Sequence, residues 1–186
     1  LTSPTFQPLA SPGGDPQAYF YPYKAEYHRR EDDLALKLEV AVAAEDDLEI
    51  RHLVLTNHGD EARRLRVTSY GEVVLASHEA DQRHPAFNKL FIESEYEPEL
   101  NAQIFHRRPR AAEEEPVFLV HMLVADPANG PARPASDRAL FLGRGGTPRS
   151  PQALLSAETD APGASAATLD PILSLSAELD LAPGAT

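Results

Sequence analysis

Leu34-Ala35-Leu36-Lys37-Leu38-Glu39-Val40-Ala41-Val42 puts an aliphatic side chain at every second position, with Lys37 and Glu39 between them. Successive side chains of a strand point to opposite sides, so period two marks a strand with one buried face. On this reading Glu39 stands on the solvated face, where exchanging it for lysine changes stability little. Leu48 to Thr56 begins with the same alternation and turns apolar on both faces at Leu53-Val54-Leu55. It then runs into Asn57-His58-Gly59-Asp60, which supplies turn chemistry. A hairpin into a third strand, Arg64 to Leu75, follows, with Leu65, Val67, Val73 and Leu75 on its apolar face and Ser69 and Gly71 leaving room there.

Proline maps the organisation around this centre. Five of the 17 prolines fall at or before Pro22, none lies between Lys24 and His84, and twelve follow from Pro85 onward. Each removes a backbone donor and limits regular structure, so the central third is the regular part. Beyond Pro85 the strand pattern continues in shorter pieces: Lys89 to Glu95, Ala102 to Arg107, the apolar run Val117 to Val124, Arg138 to Leu142, and Ile172 to Leu181. Val117 to Val124 has the composition of a buried strand. Long helical periodicity is absent, and Ala111 to Glu115 has room for one helical turn between Pro109 and Pro116. Residues 1–16 read as an extended N-terminal segment, and residues 126–137 and 143–168 as loop-rich insertions. About nine short strands separated by turns predict an all-β, antiparallel two-sheet β-sandwich spanning residues 1–186 as one domain or a fragment of one. The alternating strand Leu173 to Leu181 stops in Ala182-Pro183-Gly184, which suggests a partner strand missing beyond it. Leu1-Thr2-Ser3-Pro4 carries no initiator Met, which suggests a piece of a larger protein.

With 17 Lys+Arg against 29 Asp+Glu, the formal charge is 17 − 29 = −12, which disfavours general binding to nucleic acid or anionic membranes. The chain has no cysteine, so disulfide scaffolds, thiolate zinc sites and cysteine catalysis are excluded. Its seven histidines include no H-E-x-x-H and no pair two apart on a strand, so no metal site is expected. G-x-S-x-G and P-loop motifs are also absent, leaving no expected catalytic residue and no expected cofactor. Glu45-Asp46-Asp47 lies between strands and reads as a solvated acidic turn.

Two stretches carry binding chemistry. In Tyr19-Phe20-Tyr21-Pro22-Tyr23-Lys24-Ala25-Glu26-Tyr27 the four tyrosines occupy odd positions, so an extended chain would line them along one face as a stacking surface for sugar rings. Packing at a sandwich rim is the competing use of the same residues. In Phe141-Leu142-Gly143-Arg144-Gly145-Gly146 the glycines let a guanidinium approach a ligand closely, although the spacing matches no phosphate-binding fingerprint and a plain turn explains them better. Tyr21, Tyr23 and Arg144 are the candidate carbohydrate-binding residues.

Leu53 to Asn57, Val67 to Leu75, His84-Pro85-Ala86-Phe87-Asn88-Lys89-Leu90-Phe91, Asp137 to Gly145 and Thr168 to Leu175 occur in an order that resembles the glycoside hydrolase family 94 (formerly glycosyltransferase family 36) region of cyclic beta-1,2-glucan synthases. The resemblance runs from about Tyr19 to Leu181. It implies a β-sandwich of the supersandwich type placed before an (alpha/alpha)6 barrel that holds the general acid and the phosphate site. No barrel lies in this chain, so no catalytic residue carries over. The implied partners are that barrel, in the same polypeptide, and beta-glucan, with a second copy of the chain as a further partner for an assembly module. The implied location is the cytoplasmic side of the bacterial inner membrane, as part of a larger membrane protein.

Overall fold

A computed structural model of the protein describes residues 1–10, 14–109, 111, 114–126, 130–155 and 168–186. The chain is all-β in character, and its registered strand pairs are antiparallel. It separates into two compact units, residues 1–65 with 180–186, and residues 66–179.

The first unit is built on a four-stranded sheet in sequential order, β1 (Gln17–Phe20), β2 (Ala25–Glu31), β3 (Leu34–Val42) and β4 (Glu49–Asn57). The alternation of Leu34 to Val42 is realised as predicted: Leu34 and Leu36 are buried and pack with Leu181, covered by Leu55, Leu65 and Ala185. Burial fades along β3, and Val42 at the far end is exposed. A two-residue turn joins β2 to β3, with Asp32 in the left-handed region at φ 51°, a conformation that aspartate tolerates better than most residues.

At the buried end of β4, Asn57 is fully enclosed. Its Nδ2 donates to the carbonyls of Glu61 (2.8 Å), Leu181 (3.2 Å) and Ala182 (3.1 Å), and its Oδ1 accepts from the Gly59 N–H (3.1 Å). Its backbone bonds the carbonyl of Ala185 and the N–H of Gly184, both at 2.9 Å. The predicted Asn57 turn is therefore also the clasp that receives the C-terminal residues.

The second unit holds β6 (Gly71–Glu72) paired with β11 (Ile172–Leu173), and a sheet of β7 (Ile92–Glu97), β8 (Ala102–Arg107) and β9 (Val117–Met122). A further sheet orders β10 (Arg133–Pro134), β12 (Leu175–Leu181) and β5 (Arg63–Thr68), and the boundary between the units falls within β5 and β12. One core gathers Val73, Ile92 and Phe105 with Leu75, Leu119 and Leu173 around it, and another gathers Phe141, Leu142 and Ile172. β12 has a strand on either side, so the strand expected to lack a partner has two.

Several predicted elements are corrected. Arg138–Leu142 is not a strand but a short helix, α3: the Asp137 carboxylate accepts from the Leu140 N–H (3.0 Å), and Gly143 ends the helix at φ 79°. An aspartate cap and a terminal glycine are helix signals that outweigh a short apolar run. Lys89 likewise belongs to a helix, α2 (Pro85–Lys89), preceded by α1 (His78–Arg83), and the strand begins only at Ile92. Arg64 to Leu75 is interrupted after Thr68 because the Ser69 hydroxyl takes up ladder positions of its own, accepting from the Leu175 N–H (2.9 Å) and lying 3.2 Å from its carbonyl. Gly71 sits beneath Leu173, where a Cβ would stand 3.1 Å from Leu173 Cδ1, so the room predicted there is used.

Val117 to Val124 is not a buried strand. β9 pairs only with β8 among the described residues, and Phe118, Val120 and Met122 are 60%, 55% and 50% exposed. Leu119 on the opposite face reaches the Phe105 core.

In the N-terminal segment, Phe6 to Ala10 forms a turn (Ala10 N–H to Phe6 carbonyl, 2.7 Å) and does not run extended. The loop-rich stretches contain β10 and a short helix, α4 (Gln152–Leu155), while residues 127–129 and 156–167 of them lie outside the described residues. The turn expected at Ala111 to Glu115 lies partly outside them too.

Asn57→Ala is expected to lower unfolding free energy by about 2–4 kcal/mol, because the carbonyls of Glu61, Leu181 and Ala182 lose their shared donor. Phe105→Ala, at a site with no exposure, should cost about 3–5 kcal/mol. Urea titrations of the two variants measure both.

Candidate functional site

Tyr21 and Tyr23 stand in the four-residue connection between β1 and β2, not along a strand. Pro22 has no N–H to give a ladder, and the chain reverses there with the Tyr21 N–H donating to the Lys24 carbonyl at 2.9 Å. The four tyrosines consequently do not share one strand face: Tyr19 lies on β1 and Tyr27 on β2, and their register partners are Glu26 and Ala18. The turn nevertheless brings the two candidate tyrosines together. Their rings stack with centroids 6.0 Å apart and 28° between planes, and Tyr23 is 70% exposed. The Lys24 ammonium lies 5.7 Å from the Tyr21 centroid and 6.0 Å from that of Tyr23, within cation–π range.

The same ammonium ties the aromatic turn to a charge network that the sequence reading did not anticipate. Lys24 Nζ is 2.5 Å from Glu26 and 3.0 Å from Glu39, and Lys37 Nζ is 2.9 Å from Glu39. His28 Nε2 stands 3.2 Å from Glu26 and His52 Nδ1 3.6 Å from Glu39. Glu39 is thus a hub and not a solvated spectator. Replacing it with lysine sets three cations side by side, which corrects the expectation of a silent exchange. The clue lay in Lys37 and Glu39 sharing one face of β3 and Glu26 and His28 one face of β2, but only the register β2–β3–β4 shows that Glu26, Glu39 and His52 stand in line.

Hydrogen bonds from Lys37 and then Lys24 hold the Glu39 carboxyl down at about 2, from an ordinary value near 4.5. Lys24 lowers Glu26, and the two glutamates in turn raise Lys24.

Arg144 does not join this group. It belongs to the second unit, where Gly143 (φ 79°) and Gly145 (φ 72°) hold left-handed backbone and the Gly146 N–H bonds the Gly143 carbonyl at 3.0 Å. The glycines make the exit turn of α3, and Arg144 is exposed on it. The charge that organises this region is Arg138, whose Nε is 3.0 Å from Glu72 and 3.3 Å from the Tyr70 hydroxyl, with Nη1 3.5 Å from Asp170. Tyr70 stacks on Phe141 at 5.3 Å, and Lys89 completes the balance on Asp170. These contacts anchor α3. Among the described residues no three His, Asp or Glu side chains converge as metal ligands.

The Glu39 carboxyl should titrate in carbon-13 NMR with a midpoint near 2, and Lys37→Met should move that midpoint up toward 4.5. A carboxylate held below its unfolded value stabilises the fold above about 4.5. That contribution disappears as pH falls through about 2, so the wild type should lose more stability across this window than the variant.

The family described as "Glycosyl hydrolase 94, supersandwich domain" matches residues 1–186. The chain is also 36% identical over 180 residues to the cyclic beta-(1,2)-glucan synthase NdvB of Rhizobium meliloti (strain 1021), in an alignment that takes in 93% of this chain. That alignment covers 6% of the relative, so the chain spans a small part of the length of the protein it matches. The whole-length match, the antiparallel strands and the ordered segments quoted at the outset agree, and the chain belongs to the glycosyl hydrolase 94 supersandwich-domain family.

Proposed function

We propose that this chain is a noncatalytic supersandwich module of a larger carbohydrate-active enzyme, a cyclic beta-1,2-glucan synthase or a related glycoside phosphorylase, and that it supports an adjoining (alpha/alpha)6 catalytic barrel. The observation that carries this reading is the outer face of the β7–β8–β9 sheet. Register puts Phe118, Val120 and Met122 in rows with His106, Ile104 and Ala102 of β8 and, beyond them, Glu93, Glu95 and Glu97 of β7. The apolar part of that face is therefore the exposed side chains of β9 with Ile104, on a strand that is at the sheet edge among the described residues and carries no Lys, Arg, Asp or Glu from Val117 to Met122. Exposed edges are normally guarded by charge, proline or a bulge, and an unguarded one calls for a cover. The barrel of the same polypeptide is the cover we assign. It would hold the general acid and the phosphate site.

A second reading adds glucan contact, with Tyr21 and Tyr23 as the stacking surface; the cation-capped tyrosine pair at an exposed turn supports it. Arg144 remains a proposed contact only as an independent point on the second unit. The parent would work at the cytoplasmic side of the inner membrane. None of the described helices is long and apolar enough to cross a membrane, so the anchor would lie elsewhere in that polypeptide. An assembly module that binds no sugar, whether to a barrel or to a second copy, and an independent carbohydrate-binding module are the alternatives.

Incubating the 186-residue chain with beta-1,2-linked oligoglucosides and phosphate should yield no glucose 1-phosphate, and turnover surviving purification would overturn the noncatalytic assignment. Amide exchange on β9 should be markedly slower in the parent polypeptide than in this chain alone. Equal rates in the two would remove the barrel as its cover.

A further inference from the structure

We propose that the charged face of the β1–β4 sheet is an extended subsite for an unbranched, uncharged oligosaccharide lying across the strands, from the tyrosine turn to His52. The inference rests on the glucan-contact reading and specifies its geometry and ligand class. Directly opposed residues of antiparallel strands project to the same face. Tyr19 opposes Glu26, Glu26 opposes Glu39, and Glu39 opposes His52, so these four side chains form one row perpendicular to the strands. Three inter-strand spacings make the row roughly 14 Å long, about the length of three pyranose units.

The chemistry along the row suits sugar hydroxyls. Beside the row, in the connection that follows Tyr19 on β1, the Tyr21–Tyr23 stack offers ring faces and is linked to Glu26 and Glu39 through Lys24. In the middle Glu26 and Glu39 offer carboxylate oxygens already held in place by Lys24 and Lys37, so no ordering of long side chains is left for the ligand to drive. Two cations against two anions leave the centre with no net charge, which favours neither a phosphorylated nor an amino sugar. At the far end His52 Nδ1 and Glu39 Oε2 are 3.6 Å apart, and the His52 side chain is 65% exposed. The pair thus presents an exposed ring nitrogen and a carboxylate oxygen side by side, a donor–acceptor set that hydroxyls on neighbouring sugar carbons can address.

The test uses the 186-residue chain with linear beta-1,2-linked glucooligosaccharides of two to six units, followed by chemical shifts and calorimetry. The proposal expects the dimer to perturb Tyr21 and Tyr23 alone, and longer oligomers to extend the perturbation to Tyr19 and His52. Affinity should rise by about tenfold between dimer and tetramer and then level off. His52→Ala should remove that gain while leaving the dimer unaffected. Arg51→Ala serves as the control, because Arg51 opposes Val40 on the other face of the sheet and is itself exposed. Perturbed tyrosines with no length dependence and a silent His52→Ala would overturn the subsite and leave glucan contact standing. No perturbation by any oligomer at millimolar concentration would overturn both.

Discussion

The first unit depends on the side chain of Asn57. A buried primary amide must satisfy two donor hydrogens and an acceptor oxygen without help from water, and here the partners come from the turn beyond β4 and from residues 181 and 182. No other residue type of that size supplies two donors and an acceptor together. The amide fixes where the C-terminal residues lie, which fixes Leu181 against Leu34 and Leu36 and so determines which end of the sheet is buried. The opposite end is left in solvent by the same arrangement, and that end carries the tyrosine turn and the acidic β3–β4 connection.

How much of this was legible in the sequence depended on the range of the interaction involved. Leu34 to Val42 was readable because alternation is a local signal reinforced by nine consecutive residues. Arg138 to Leu142 misled because five residues, mostly apolar, fit a strand or a helical turn equally, and the deciding facts were the flanking Asp137 and Gly143. Val117 to Val124 misled for another reason. Apolar composition reports what a segment prefers to bury, and whether a neighbour is present to bury it is a property of the whole assembly. The candidate site was legible in its residue types but not in its arrangement. Tyr21 and Tyr23 read as neighbours on an extended face, because alternation carries no sign of the reversal at Pro22, and the cross-strand line of Glu26, Glu39 and His52 depends on two registers that no local pattern encodes.

The two ion networks show why similar residues carry different weight in the two units. Arg138, Glu72, Asp170 and Lys89 surround a stacked aromatic pair and a helix whose Phe141 and Leu142 are buried, so their pairing fixes the position of α3. Lys24, Glu26, Lys37 and Glu39 lie on a sheet face at the solvated end, where water screens each pair and the gain per contact is small. What the second arrangement provides is order: four long side chains held in fixed positions beside a stack of exposed rings.

The chain path through the two units has a kinetic consequence. Residues 66–179 form an uninterrupted stretch, whereas the first unit is assembled from residues 1–65 and the last seven. During synthesis the second unit has all its strands before Asn57 can meet the Leu181 carbonyl, a contact that spans 124 positions. Long loop closure slows folding and leaves incomplete sheets exposed in the meantime. The sheet of the first unit is therefore the part of this chain that completes last, and removing residues 180–186 would leave that sheet without its Asn57 partners.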